Sequence, residues 1–230
     1  MNPATGHDPR LSAVLWDMDG TLIDTEPFWI AAETELVEAH GGVWTHEDGL
    51  AMVGNPMIVS AKALAARGVD LPYDEIVDFL NLRVAAAVAA GIPWQPGAHE
   101  LLVALHAAGV PMALVTSSFA VLAEPFAAAV GLFDVVVSGD EVSRPKPDPE
   151  PYLLAARRLG VDIATCVAVE DSRSGIASAV SSGARTVAIE VHHRVEHREG
   201  LSRVASLEVV SLDDLVRVAE GAVLDLRTAG

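Results

Sequence analysis

The chain has 230 residues, of which 51% are hydrophobic, enough to furnish a real core for one large domain or for one domain with a sizeable insertion. Its formal charge of −17 repels polyphosphate and anionic lipid, so neither nucleic acid nor a membrane is an expected partner, and an anionic substrate must be held by local positive groups. A single cysteine, Cys166, excludes an internal disulfide framework; we see no charged-then-apolar leader and no apolar span of membrane length, and we expect a soluble, cytoplasmic monomer.

The first element predicted is a strand over Ala13-Val14-Leu15-Trp16, which runs directly into Asp17, Asp19, Gly20 and Thr21. If extended geometry persists, the carboxylates of Asp17 and Asp19 leave the strand end on one side, because strand side chains alternate. Like charges held together raise one of the two pKa values unless something offsets them, and an arrangement that costs stability points to chemistry. The next strand-like run lies near 110. A single crossover with its helix needs only a few tens of residues, so the roughly ninety in between read as an insertion.

Within the insertion the windows 28–40, 58–67 and 73–90 carry Ala, Leu and Val at helical spacing, which predicts a small helical bundle. Glu26-Pro27 and the segment Gly91 to Gly97 mark its ends, dividing the chain into a core of 1–26 plus 97–230 and a cap of 27–96. Both connections are close to the aspartates, so the cap is expected to sit over them and to move about those two connections. Phe28, Trp29 and Trp44 read as cap core, with Trp29 the aromatic expected to face the site on closure.

Beyond the insertion, strand patterns at 110–115, 133–137, 165–169 and 185–189 alternate with helix patterns at 98–108, 119–130, 150–159 and 174–182. Gly109, Gly131, Gly160 and Gly183 stand just past the helix ends as C-cap residues. Continuous apolar strands alternating with helices predict an α/β fold with a doubly wound parallel sheet, in which ligands sit at the carboxyl ends of the strands. Cys166 falls inside a strand and reads as a buried, inert thiol. The charged stretch 190–200 reads as a loop before a final short strand and helix, and its His192, His193 and His197 as solvated rather than metal-binding.

Four stretches fall at carboxyl ends of predicted strands: Asp17 to Thr21, Thr116-Ser117-Ser118, Arg144 to Pro149, and Glu170-Asp171-Ser172. Toward a phosphate ester, Asp17 suits a nucleophile and Asp19 a general acid and then base. Thr116 precedes a helix expected to begin near Phe119, so its hydroxyl and the following amides of Ser117 and Ser118 suit phosphoryl oxygens. Lys146, between two prolines, supplies local positive charge, and Asp148-Pro149 reads as an N-cap with proline at the first helical position. Glu170 and Asp171 add hard oxygen ligands, which makes Mg²⁺ the expected cofactor and the counter-charge for the clustered carboxylates, with Glu170 either a ligand or a support to one.

DMDGTLIDTEP, VTSS, the lysine of RPKPDPEPY and VEDSRSGIASAVSSGA, in this order and spacing, resemble the four motifs of the haloacid dehalogenase superfamily of phosphotransferases over essentially the whole chain. The form of these motifs is most similar to the sugar-phosphate phosphatase and β-phosphoglucomutase-like group, and within it to hexitol and 2-deoxyglucose-6-phosphate phosphatases. The resemblance implies that Asp17 is the nucleophile, that Asp17, the backbone carbonyl of Asp19 and Asp171 bind Mg²⁺, and that Thr116 and Lys146 hold the phosphate. True dehalogenases lack the aspartate at the Asp19 position. The resemblance therefore implies hydrolysis of a small phosphorylated metabolite, a sugar or polyol phosphate, through an aspartyl-phosphate. Two alternatives stand beside it: a β-phosphoglucomutase-like mutase, and a non-catalytic phosphate-responsive regulator. The mutase has a cap arginine that grips a second phosphate, whereas Val53-Gly54-Asn55-Pro56-Met57 here has none unless Lys62 or Arg83 substitutes. Trp29 and Asn55 are the residues expected to set specificity from the cap.

Overall fold

The computed structural model describes residues 10–55, 57–191 and 194–227. Strands β1 (Ala13–Trp16), β2 (Met112–Val115), β3 (Val135–Val137), β4 (Cys166–Glu170), β5 (Arg185–Ile189), β6 (Leu201–Val204) and β7 (Asp225–Leu226) form one sheet in the order β3-β2-β1-β4-β5-β6-β7. Every pairing is parallel. The order reverses between β1 and β4, which are direct neighbours with Trp16 opposite Val169. A gap between diverging loops opens at such a reversal, and the acidic ends of both strands face it.

Both faces of the sheet are covered, which is why its central strands are apolar without alternation. Helices α5 (Ala98–Ala107), α6 (Ala120–Val130) and α9 (Leu212–Ala219) bury Leu102, Phe126 and Leu215 against Val14, Trp16 and Leu114. On the other face α7 (Glu150–Leu159) and α8 (Arg173–Ser182) bury Tyr152, Ala155 and Ala179 against Leu15, Val115 and Ala168. Gly131, Gly160 and Gly183 end α6, α7 and α8 in the left-handed conformation their spacing predicted. Cys166 is buried, and its thiol is pushed up to about 12 by burial and then by Asp162.

The insertion ahead of α5 contains four helices among the described residues: α1 (Glu26–Ala39), α2 (His46–Leu50), α3 (Met57–Ala66) and α4 (Tyr73–Ala90). The five-residue α2 was not predicted from periodicity, since a single turn contains no repeat; its signal is the Thr45/Asp48 capping box. Helix α4 packs on α1 and on α6, so the helical segment rests on the sheet layer as well as on itself. Pro27 lies in the first turn of α1 rather than in a hinge ahead of it. The connecting strands are instead laid side by side: Ile23 bridges Trp94, the Gln95 N–H donates to the Leu22 carbonyl at 2.8 Å, and the Asp24 N–H donates to the Pro93 carbonyl at 2.8 Å.

Other boundaries shift by a residue or two. β3 begins at Val135, because Asp134 turns to accept the Met112 N–H on its side chain at 2.9 Å. Helix α7 spans Glu150–Leu159 as expected, but its N-cap is Pro149 rather than Asp148, whose side chain accepts the Glu150 N–H at 2.9 Å. The final strand and helix are present as β6 and α9, followed by the unpredicted two-residue β7. His192 and His193 lie outside the described residues, and His197 is exposed. Among the described residues no helix is long and apolar enough to cross a membrane.

One buried acid stands out in the helical segment. Glu33 of α1 is 3% exposed, and its Oε2 accepts the Trp44 Nε1–H at 3.1 Å. Burial lifts its carboxyl from the ordinary 4.5 to about 7, partly opposed by that hydrogen bond.

Two measurements test these packing arguments. Gly97 has φ +78°, and a Cβ there would overlap the backbone of Leu207 and Glu208, so Gly97→Ala is expected to cost about 2–4 kcal/mol in urea unfolding. For Glu33, the folded chain retains a proton between about 4.5 and about 7 that the unfolded chain releases, so this residue's contribution to stability falls as pH rises through that window. Glu33→Gln removes that slope. Its melting temperature relative to wild type should rise by a few degrees between about pH 5 and about pH 8.

Candidate active site

The apolar β1 ends at Trp16, and the chain leaves the sheet with the Asp17 N–H held by the Val169 carbonyl of β4 at 3.1 Å. This fixes Asp17 beside Glu170 and Asp171, the last residue of β4 and the one after it. The three buried carboxylates present oxygens that all lie within 4.8 Å of one another. Lys146, buried between its two prolines, places Nζ 2.7 Å from Asp17 Oδ1, 2.6 Å from Glu170 Oε1 and 2.9 Å from the Val115 carbonyl. All three donors of the ammonium are thereby used.

Three carboxylates against one ammonium leave a surplus of buried negative charge. Burial, then the Glu170 carboxylate, push Asp17 up to about 7 despite the opposing pull of Lys146. Asp171 is held well above the ordinary carboxylate range by burial, then by Asp17 and Glu170. Burial works against the charge on Lys146, yet Asp17 and Glu170 outweigh it and hold the ammonium above its usual range. Hard oxygen donors, clustered and under-compensated, fit a divalent cation, and the residues that would hold one are Asp17, Asp171 and Glu170.

Asp19 occupies a different position. Its Oδ1 accepts from the Thr25 hydroxyl at 2.5 Å and from Trp29 Nε1 at 3.3 Å, while Oδ2 accepts from the Ser118 hydroxyl at 2.7 Å and the Thr116 hydroxyl at 3.3 Å. Asp17 is the raised carboxyl that clustered like charges predict, but Asp19 is not its main cause. Asp19 is the least of the influences on Asp17, after burial, Glu170 and Lys146, and its carboxyl is instead held by Thr25, Trp29, Ser118 and Thr116. The side-chain cluster with Asp17 is completed by Glu170 and Asp171 rather than by Asp19.

Several supports were not legible in sequence. The Tyr152 hydroxyl donates to Glu170 Oε1 at 2.6 Å and Ser172 Oγ to Glu170 Oε2 at 3.3 Å. Thr21 Oγ1 donates to Asp171 Oδ1 at 3.1 Å. Gly20 and Gly175 pass so close to Asp171 and Glu170 that a Cβ at either would overlap the carboxylate. Thr25 and the Ser118 hydroxyl, which clamp Asp19, lie inside the motif stretches, but nothing in their spacing gives the direction of a hydroxyl.

The Thr116 region makes a turn of its own ahead of α6, which starts one residue after Phe119. α6 begins at Ala120 with Phe119 as its N-cap, and Thr116 Oγ1 accepts the Ser118 N–H at 2.9 Å three residues earlier. Ser117 and Ser118 line a cavity of about 170 Å³ that lies between the strand ends and α1–α3, and Thr116 is buried behind them. Asp17, Asp19, Lys146 and Asp171 form the floor of this cavity, and Trp29, Gly54 and Asn55 part of its roof. The Asn55 side chain donates to the Ala51 carbonyl at 2.9 Å, and the Ser174 hydroxyl to the Gly54 carbonyl at 3.4 Å. Neither Lys62 nor Arg83 lines the cavity; Arg83 is paired with Glu35 on the surface.

Comparison with known proteins agrees with this geometry. Relatives include the N-acetylmuramic acid 6-phosphate phosphatase of Pseudomonas aeruginosa, 35% identical over 78% of this chain and 82% of its own length. Hexitol phosphatase A of Escherichia coli is 34% identical over 78% of this chain and 83% of its own. Among solved structures, CbbY from Rhodobacter sphaeroides in complex with phosphate superposes with a TM-score of 0.76 at 29% identity, covering 89% of this chain and 99% of that one. The pattern of the haloacid dehalogenase-like hydrolases matches residues 11–183, and it is to this family of hydrolases that the chain belongs.

Proposed function

We propose that the chain is a Mg²⁺-dependent phosphatase of small phosphorylated sugars or polyols, acting through an aspartyl-phosphate on Asp17. The observation that carries the reading is the buried Asp17 carboxylate, held at one oxygen by Lys146 and open to a cavity of metabolite size on whose floor Asp19 stands nearby. The names of the relatives support the substrate class.

With Asp17 Oδ1 engaged by Lys146, Oδ2 is the oxygen free to attack phosphorus. As the phosphorus–oxygen bond of the ester breaks, Asp19 gives its proton to the leaving oxygen, producing the free alcohol and the Asp17 phosphate anhydride. Water then attacks phosphorus, Asp19 takes its proton, and Asp17 and inorganic phosphate are released. The hydroxyls of Thr25, Ser118 and Thr116 and the Trp29 indole fix the Asp19 carboxyl for both transfers. Ser117, on the cavity wall, holds phosphoryl oxygens, and Lys146 on the floor faces them with its positive charge, while Thr116 behind the wall holds Asp19. Glu170, itself fixed by Tyr152, holds Lys146 against Asp17. Asp17, Asp171 and the Asp19 carbonyl, with Glu170 beside them, would hold Mg²⁺, which would supply positive charge against the transferring phosphoryl group.

The segment 27–96 acts as a cap that excludes bulk water from the cavity and admits substrate when it opens about the paired connections at Ile23 and Trp94. Hydrolysis is favoured over the mutase reading because the only cation in the described lining is Lys146, already committed to Asp17 and Glu170. A mutase must hold two phosphates.

Asp17→Asn should lower turnover of p-nitrophenyl phosphate and of a sugar-phosphate panel by roughly a thousandfold or more without loss of folding; near-normal activity in that variant would falsify covalent catalysis at Asp17. Asp171→Ala should raise the Mg²⁺ concentration for half-maximal rate by about tenfold or more, and a fall in rate with no change in metal dependence removes Asp171 from the ligand set.

A further inference from the structure

The phosphate end of the cavity is accounted for, but its lining also contains a buried carboxyl group that the proposed chemistry does not use. Trp29 sits at the site, with its indole on Asp19; Glu33, four residues further along α1, lines the same cavity roughly 6 Å deeper on the same helix face. Around it the lining is apolar: Ile30, Met52, Val53 and Met57, with the Ser60 hydroxyl contributed by α3. Gly49 lets α2 approach closely here, because a Cβ would overlap the Ile30 side chain.

A buried carboxylate that accepts one neutral hydrogen bond is poorly compensated. Trp44 Nε1 serves Oε2, and no described residue donates to Oε1. The nearest guanidinium in that packing, Arg67, lies over the Trp44 ring and is paired with Asp48 rather than Glu33. If Glu33 only had to accept the Trp44 N–H, a neutral amide would do so without burying a charge. A carboxylate in a cavity with a free oxygen is a recognition element awaiting donors.

Resting on the phosphatase reading for the orientation of the substrate, we infer that Glu33 binds the leaving group. It selects phosphate monoesters whose organic part carries hydroxyl groups at the end remote from phosphorus, and it disfavours esters with a second anion there. The apolar walls take the carbon skeleton, Glu33 and Ser60 take its hydroxyls, and no cation in the described lining is available to a second phosphate or a carboxylate.

The test compares wild type, Glu33→Gln and Glu33→Leu on sorbitol 6-phosphate, fructose 1,6-bisphosphate and acetyl phosphate. Gln preserves an acceptor for Trp44 and so keeps the fold comparable. In Glu33→Leu the ratio of kcat/KM for sorbitol 6-phosphate to that for acetyl phosphate should fall by about tenfold or more, chiefly through KM. In Glu33→Gln the ratio for the bisphosphate to sorbitol 6-phosphate should rise. Equal proportional losses on all three substrates overturn the inference and leave Glu33 a packing residue. Calorimetric binding of sorbitol 6-phosphate to Asp17→Asn, with and without Glu33→Leu, separates this from the phosphatase reading. Loss of affinity on adding Glu33→Leu supports the site even if wild type hydrolyses nothing, whereas equal affinity, or no binding to either protein, overturns it.

Discussion

The structure is organised around one buried ammonium. Lys146 reaches from the loop before α7 to the ends of β1, β2 and β4, where it donates to Asp17, the Val115 carbonyl and Glu170 and offsets part of the charge of three carboxylates. Without it, the sheet would end in uncompensated buried anions, each costly to hold away from water. With it, the cluster stays anionic overall, and that residual charge makes the site suited to a divalent cation.

The parallel sheet makes this arrangement possible. Because β1 and β4 are adjacent and in register with Trp16 opposite Val169, the residues that follow, Asp17 and Glu170, emerge side by side although more than half the chain separates them in sequence. Apolar strands pin the backbone, and carboxylates placed just beyond the last sheet positions inherit that rigidity. Tyr152 extends the same logic: a helix on one face of the sheet sends a hydroxyl up to Glu170, so packing of α7 and geometry of the charge cluster are coupled.

Asp19 links the two layers of the molecule. Its carboxyl is shared between Thr25 and Trp29 at the start of α1 and Ser118 and Thr116 beyond β2, so one side chain joins the helical segment to the sheet across the cavity. Motion of that segment would therefore change how the proposed acid–base group is held, which provides a physical coupling between closure and proton transfer. Glu33 lies on the same helix face as Trp29. The helix that orients the proposed chemistry thus also carries the group inferred to read the leaving group.

The sequence by itself determined the α/β class, the parallel sheet, the helical insertion and the four stretches that meet at the strand ends, because these are written in local pattern: apolar runs, helical spacing, glycines past helix ends, and acids or prolines at fixed offsets. It also determined that Asp17, Lys146 and Asp171 belong together, through the order and spacing of their motifs. Only the tertiary structure decided that Glu170 rather than Asp19 is the principal charged neighbour of Asp17 besides Lys146, that Tyr152 and Thr21 support the carboxylates, and that Ser118 stands on Asp19. A side-chain direction depends on the turn at Gly20 and on elements distant in sequence, and neither leaves a periodic trace. The same is true of Glu33, which in sequence is one acid among others on a helix; its burial beside Trp44, and the cavity it lines, exist only once α1, α2 and α3 have packed.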